Sequence, residues 1–213
     1  MTGARALALA ALLLIAPALV HADRARDLAD LGDRTSVETR QRGARALGQS
    51  GTMEDLPALV RALHDTDPAV RAFSETSMWE IWSRSGDEEV DRLFAMGVEQ
   101  MSAREAEAAL ETFSRIIGRR PDFAEGWNKR ATIYYLLGEY ERSLADCAEV
   151  MKRNPYHFGA LSGYGMIFMR LEEPATALGY FERALAINPN LHRVEEAMQA
   201  LRRLLVEKRK GTI

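Results

Sequence analysis

The residues that most often carry out chemistry in proteins are few and scattered in this sequence. Beyond residue 22 there are three histidines, His64, His157 and His192, and one cysteine, Cys147. None stands in a zinc, nucleophile or phosphate-binding motif, because the sequence has no GxSxG, no glycine-rich phosphate loop and no paired Cys/His spacing. The sequence therefore predicts no catalytic residue, no cofactor and no metal, and we expect a protein that is not an enzyme.

One short stretch has the composition of a cation site. His64, Asp65 and Asp67 could together offer a nitrogen and several oxygens to a metal ion. Asp67 precedes Pro68, however, and this pair is a typical helix start, since the carboxylate accepts hydrogen bonds from free backbone N–H groups. Helix capping is the favoured interpretation.

Met101, Met166 and Met169 are the other side chains with possible ligand chemistry. Thioethers bind copper, and they also make adaptable apolar contacts with varied partners. No His or Cys accompanies them, so an apolar contact surface is favoured over a copper-binding protein. Met96 shares a helix face with Leu93 and is predicted to pack in the core.

Residues 127–155 indicate which elements carry these side chains. Small and apolar residues recur at helical spacing over 127–137, Gly138 follows, and a second helix is predicted over 140–153. Asn154 precedes a proline and is expected to end that helix. The stretch is thus predicted to be a helical hairpin.

The hairpin recurs every 34 residues, and each of the three units ends at a proline. Equivalent positions are held by Pro121, Pro155 and Pro189; by Leu93, Trp127 and Leu161; by Gly97, Ala131 and Gly165; and by Phe113, Cys147 and Phe181. A fixed period with small and large apolar residues in turn is typical of a stacked helical repeat. Over residues 90–189 the sequence resembles the tetratricopeptide repeat family. Gln100, Cys147 and Val150 depart from its pattern, which bears on how tightly the units pack.

Residues 44–73 resemble a HEAT-type helical repeat. The resemblance lies in Ala46-Leu47-Gly48, in Leu56-Pro57-Ala58-Leu59 and in Asp67-Pro68. A helix over Glu88–Met101 would be shared by both repeat types, which predicts one continuous solenoid. Capping boxes are predicted at Thr35–Glu38 and at Ser102–Glu105.

Residues 1–22 are interpreted as a secretory signal peptide. Arg5 precedes the apolar run Ala6–Ala16, and Val20-His21-Ala22 fits a small-x-small cleavage site. The alternative is an uncleaved anchor, but the run is well short of the roughly 20 residues that a spanning helix needs. Cleavage after Ala22 would give a periplasmic or secreted protein with no integral membrane span.

Charge provides no argument for nucleic-acid binding. Lys and Arg total 28 against 31 Asp and Glu, a net charge of −3, whereas a basic face is the usual footprint of such proteins. After residue 189 an apolar stripe and charged residues share one predicted helix, which suits the open end of a solenoid. The basic run Lys208–Lys210 fits the negative end of a helix dipole better than a lipid site.

The predicted fold class is all-α, a right-handed α-solenoid of stacked helical hairpins. Its predicted segments are a signal peptide over 1–22, a lead-in over 23–34, HEAT-like repeats over 35–86, three tetratricopeptide units over 87–189, and a capping helix and tail over 190–213.

The family resemblance implies a binding groove formed by the first helix of each unit. The residues that this geometry places there are Phe94, Val98 and Met101 from the first unit, Asn128, Thr132 and Tyr135 from the second, and Ser162, Met166, Met169 and Arg170 from the third. Such a mostly apolar set predicts binding of a protein or peptide by shape and apolar contact. The clamp by which this family holds a C-terminal carboxylate is predicted to be absent, because Phe94 and Val98 stand where it needs polar groups.

The sequence thus predicts a non-catalytic scaffold or adaptor of the bacterial cell envelope that binds a protein or peptide. One alternative is that neighbouring helices fill the groove. Another is a structural accessory subunit that builds an envelope complex through its terminal or convex surfaces. The partner's identity and the oligomeric state stay open at this point.

Overall fold

A computed structural model of the chain describes residues 23–209 and residue 211. The signal-peptide prediction for residues 1–22 lies outside them. All regular elements of the described residues are helices, and none of these helices is long and apolar enough to cross a membrane. The chain divides into two compact units between Ile81 and Trp82. The segment boundaries and the single continuous solenoid stay predictions.

The first unit is built from short helices around an aliphatic core. Its elements are α1 (23–31), α2 (Val37–Ser50), a 3-10 turn (Met53–Asp55), α3 (Leu56–Ala62) and α4 (Pro68–Trp82), whose last residue belongs to the second unit. Leu47, Leu59 and Val70 are completely buried at the centre of this unit. The hydrophobic effect of burying such residues is its main stabilisation.

Helix starts in the first unit agree only in part with the sequence. Ser36, not Thr35, caps α2 by accepting a hydrogen bond from the N–H of Thr39 at 3.1 Å. The Thr35 hydroxyl instead donates to Asp33, so the predicted capping box is wrong. The Asp67 cap is confirmed, since its carboxylate accepts from the N–H groups of Ala69 and Val70 at 3.0 and 2.9 Å.

The carboxylates of the candidate cation stretch have structural partners. Asp65 forms an ion pair with Arg40 at 2.8 Å, and Asp67 caps α4. Among residues 23–209 no three His, Cys, Asp or Glu side chains form a cluster that could hold a metal ion.

The second unit contains three helical hairpins followed by one long helix. The hairpins are α5 (Glu88–Ser102) with α6 (Ala106–Arg119), α7 (Ala124–Leu136) with α8 (Tyr140–Arg153), and α9 (Phe158–Arg170) with α10 (Pro174–Ile187); α11 (His192–Arg209) follows. Each helix packs against the next along the chain, and α7 also contacts α5 and α9. The predicted all-α solenoid of stacked hairpins is confirmed.

The turns between the paired helices repeat one unusual backbone conformation. Arg104, Gly138 and Glu172 have φ of 62°, 78° and 60°, and they lie 34 residues apart. The left-handed conformation at Arg104 ends α5 just after Ser102, whose hydroxyl donates to the carbonyl of Val98. Ser102 is therefore the last residue of α5, and the capping box predicted there is wrong.

Inside each hairpin a small residue on the first helix faces a larger one on the second. A Cβ on Gly97 would lie 2.7 Å from the Phe113 ring, and one on Gly165 would lie 2.3 Å from the Phe181 ring. Both rings therefore pack directly on glycine backbone. Only a residue without a Cβ allows so close an approach. Met96, on the same helix as Gly97, is 38% exposed, so its predicted core position is wrong.

Candidate functional site

A cavity of about 250 Å³ lies between the first helices of the second and third hairpins. Its wall includes five of the ten predicted groove residues, namely Asn128, Thr132, Tyr135, Ser162 and Met166. Helix α8 closes it from below with Ser143 and Cys147. We refer to it as the first cavity.

The first cavity occurs where the middle hairpin departs from its neighbours. Cys147 replaces the phenylalanine of the other two units, and Ala131 replaces their glycine. The side chain of Cys147 is shorter than phenylalanine, and it leaves space that a phenylalanine ring fills in the first and third hairpins. Gly163 keeps the space open from α9, because a Cβ there would meet only the Cys147 sulfur, at 3.7 Å.

The thiol of Cys147 is unreactive in this position. The side chain is buried, and burial raises the pKa of its thiol to about 12. A thiol with such a pKa is a poor nucleophile at neutral pH, because the thiolate is the reactive form. Cys147 therefore shapes the cavity and supplies no reactive group.

A second cavity, of about 570 Å³, adjoins the first and is bordered by α9 and α11. Met169 and Arg170 line it together with Arg193 and Val194, and it shares Tyr135 and Met166 with the first cavity. Met166 and Met169 are 44% and 43% exposed. Seven of the ten predicted groove residues thus lie at these two cavities.

Tyr135 joins the two cavities. Its hydroxyl accepts a hydrogen bond from Nε of Arg170 at 3.3 Å, and its ring packs against Tyr140 with centroids 6.0 Å apart. These contacts fix the ring as a wall between an apolar space and a positively charged one.

The three predicted groove residues of the first hairpin lie elsewhere. Phe94 is buried with its ring 6.0 Å from Phe113 and 5.4 Å from Phe123. Val98 is 38% exposed, and Met101 packs against the α5–α6 core. None of the three borders either cavity. Met101 is accordingly separate from Met166 and Met169, so the methionines do not converge as a copper site would need.

Beside the first cavity lies a buried polar network that the sequence did not suggest. Glu125 and His157 are both 0% exposed, and Nε2 of His157 lies 2.6 Å from a Glu125 oxygen. Nδ1 of the same ring accepts the N–H of Ala160 at 3.0 Å, so the imidazole proton is on Nε2 and is donated to Glu125. Asn128 Nδ2 donates to both Glu125 oxygens, at 3.2 and 3.1 Å.

Glu125 is held as a carboxylate by these donors. Burial raises the pKa of its carboxyl, but the hydrogen bond from His157 and the nearby Lys129, 3.4 Å away, bring the pKa below the ordinary value. Trp82 stacks on the imidazole with ring centroids 4.5 Å apart. The network fixes Asn128, one wall of the first cavity, in a single orientation.

Sequence reasoning missed the floor of the first cavity and half of the second. The missed residues include Ala131, Ser143, Cys147 and Gly163 in the first, and Arg193, Val194 and Ala197 in the second. One signal was available, because Cys147 had been recognised as a departure from the aromatic pattern. No signal in the sequence marks Arg193 as a cavity residue, because it belongs to no motif and its charged neighbours are typical of a solvated helix face.

Comparisons with known proteins agree with this fold. Residues 94–158 match the tetratricopeptide repeat family model. A TPR repeat-containing protein of Rhizobium etli is 32% identical over 120 residues, which cover 56% of this chain and 59% of that protein. Anaphase-promoting complex subunit 3 of Schizosaccharomyces pombe is 30% identical over 87 residues, 41% of this chain and 13% of that one. The chain spans less than two thirds of the length of either relative.

Solved structures show the same architecture. The Sgt2 TPR domain from Aspergillus fumigatus superposes with a TM-score of 0.56 at 19% identity, over 60% of this chain and 85% of that one. The first TPR of Spaghetti (RPAP3), bound to the HSP90 peptide SRMEEVD, gives 0.54 at 18% identity, over 56% and 94%. Residues 94–158 therefore match tetratricopeptide repeats, as predicted. The HEAT-like segment stays a prediction.

Proposed function

We propose that this protein is a non-catalytic scaffold that binds a peptide segment of a partner protein across the two cavities. The observation that carries the proposal is their junction at Tyr135 and Met166, which makes one apolar surface from the first helices of two hairpins. The peptide-bound TPR structure of similar fold supports it as an analogy.

Binding would depend on apolar contact more than on hydrogen bonds. The hydroxyls of Thr132 and Ser162 at the first cavity already donate to the carbonyls of Asn128 and Phe158, at 2.9 and 2.8 Å. Asn128 donates to Glu125. With these groups engaged, the cavity offers mostly carbon and sulfur surface, and burial of apolar area contributes about 25 cal/mol per Å².

We further propose that the protein works in the bacterial cell envelope, in the periplasm or outside the cell. The support is the pattern of residues 1–22, with its positive start, short apolar run and small-x-small site. Fusing the full chain to alkaline phosphatase, which is active only after export, tests this. Activity that depends on residues 1–22 is expected, and equal activity without them would contradict the placement.

A capture experiment tests the binding site. We expect Tyr135→Ala with Met169→Ala to lose partners that the wild type retains from a periplasmic extract of the source cells. Met96→Ala is a matched control, because Met96 is also exposed but borders neither cavity. Equal capture by all three proteins would show that the ligand does not use the cavities.

A structural subunit is the second candidate, and an exposed leucine favours it. Leu136 and Leu137, at the α7–α8 turn, are 72% and 48% exposed. Leu136 also lines the first cavity whereas Leu137 does not, and Leu137 therefore carries the case for an assembly surface. Light scattering after size exclusion discriminates the two. A stable oligomer that Leu137→Glu dissociates without changing peptide binding would support assembly as a function of its own.

A further inference from the structure

We propose that the bound peptide is acidic, with one large apolar side chain in the first cavity and a nearby Asp or Glu side chain on Arg170 and Arg193. This inference rests on the proposed function and names the chemistry of its ligand. It follows from the shape of the first cavity and the charge of the second.

The first cavity can receive one large apolar side chain. Its volume of about 250 Å³ is bounded by Ala131, Cys147, Gly163 and Ile167, and the side chains of these four residues offer no charge. The neighbouring hairpins each place a phenylalanine ring at the position of Cys147. A ligand side chain would thus occupy space that other units fill internally.

The second cavity is positively charged and unbalanced. Arg170 and Arg193 line it, and no acidic side chain does. Within residues 23–209 no carboxylate forms an ion pair with either guanidinium, whereas Arg130 in the second hairpin pairs with Asp146 at 2.7 Å. Arginine stays protonated at any physiological pH and pairs well with carboxylates.

The two features lie close enough for one short peptide. Arg170 donates through Nε to the hydroxyl of Tyr135, whose ring borders the first cavity as well. An extended chain covers roughly 3.3 Å per residue, so the acidic residue would follow or precede the apolar one by a few positions. A peptide that lacks the acid would keep only the apolar contact.

Two synthetic peptide pools provide the test. Both are amidated decapeptide pools with leucine at a central position, so that every carboxylate belongs to a side chain. One pool has Asp or Glu two to four positions away, and the other has Asn or Gln there. Binding to the purified protein is followed by fluorescence anisotropy at low salt, where charge contributes most.

We expect the acidic pool to bind at least tenfold more tightly than the amide pool. Arg170→Gln with Arg193→Gln should remove this difference, so that the two pools bind with equal affinity. The matched control is Arg61→Gln with Arg115→Gln, which changes the net charge equally at exposed positions away from both cavities. The control should keep the tenfold preference.

The apolar half is tested at Gly163. Gly163→Leu adds a large side chain inside the first cavity and should weaken both pools at least tenfold. Gly179→Ala, on α10 and bordering neither cavity, should change binding less than threefold. Circular dichroism checks that Gly163→Leu is folded. The variants at the exposed Arg170 and Arg193 test the acidic preference whether or not Gly163→Leu folds.

The outcomes separate the inference from the function on which it rests. If both pools bind equally and the arginine variants bind like the wild type, the acidic preference is overturned while peptide binding stands. If Gly163→Leu folds and binds normally, the assignment of the first cavity is overturned. Failure of both pools to bind would overturn the inference and count against the proposed function as well.

Discussion

Nε2 of His157 donates to Oε1 of Glu125 at 2.6 Å, and both side chains are 0% exposed. His157 is the residue before α9, and Glu125 lies in the first turn of α7. The hydrogen bond therefore ties the second hairpin to the third at the helix ends that border the first cavity. It places a charge inside the stack where an apolar contact would be usual.

Replacement of Glu125 by glutamine is expected to destabilise the protein in a pH-dependent way. The folded-state pKa of Glu125 lies below its ordinary value of 4.5, so its contribution is present above pH 4.5 and is lost as the pH falls through the folded pKa. We expect Glu125→Gln to lower the unfolding free energy by about 1–3 kcal/mol at pH 7, with a smaller difference from wild type below pH 4.5.

Urea titrations between pH 3 and pH 7 measure this effect. Glu111→Gln is the control, because Glu111 is an exposed carboxylate on α6. A difference between wild type and Glu125→Gln that stays constant over this range would show that the native carboxyl does not titrate below its unfolded value.

A methyl group at Gly165 should strain the third hairpin. Its Cβ would lie 2.3 Å from the Phe181 ring, and such overpacking costs about 1–3 kcal/mol. Gly179→Ala in the partner helix meets nothing within 4 Å and should instead stabilise by about 0.5–1 kcal/mol. Thermal unfolding of the two variants should shift Tm in opposite directions.

The strain at Gly165 should depend on Phe181 alone. In a double-mutant cycle with Phe181→Cys, we expect the alanine to become nearly neutral, because the second hairpin already pairs Ala131 with Cys147. Additive free-energy changes would contradict the direct contact between the two residues.

The left-handed turn residues lead to a third prediction. Gly138 has φ of 78°, which costs an L side chain roughly 1–2 kcal/mol, so Gly138→Ala should destabilise by about 1 kcal/mol. Gly118→Ala, inside α6 with nothing within 4 Å, should have the opposite sign. The unfolding free energies from urea denaturation measure both, and equal signs would show that conformation at 138 is not the cause.

The thiol of Cys147 should react slowly in the folded protein. Because burial raises its pKa to about 12, we expect labelling by Ellman's reagent at pH 8 to be at least a hundredfold slower than in 6 M guanidinium. Gly163→Ala should preserve the slow rate. Rapid labelling of the native protein would show that the cavity floor is exposed to solvent.

The repeat could be predicted from sequence because its signals are local. Proline and glycine positions mark the ends of α7 and α8, and helix α8 begins and ends where the pattern indicates, at Tyr140 and Arg153. Turn geometry was harder to predict. The predicted end of α5 at Met101 is within one residue of Ser102, but Arg104 adopts a conformation that glycine usually supplies, and no residue type at this position indicates it.

The candidate site was predicted less completely because it depends on contacts across hairpins. Glu125 precedes the helix predicted over 127–137 and has no apolar spacing that would indicate burial, and only its placement 2.6 Å from His157 shows that it is buried. Phe94 shows the opposite error. The family resemblance places it on the groove, whereas the structure buries it among phenylalanine rings. Helical period alone cannot distinguish a groove position from a core one at the end of a stack.

The pairing of Ala131 with Cys147, between two hairpins that pair glycine with phenylalanine, makes the position of the first cavity transferable between hairpins. Exchanging these two residues within a hairpin should fill or open the cavity of that hairpin without altering its helices. A variant with Ala131→Gly and Cys147→Phe should keep the same fold and lack the first cavity. The inverse exchange, Gly165→Ala with Phe181→Cys, should open an equivalent cavity in the third hairpin.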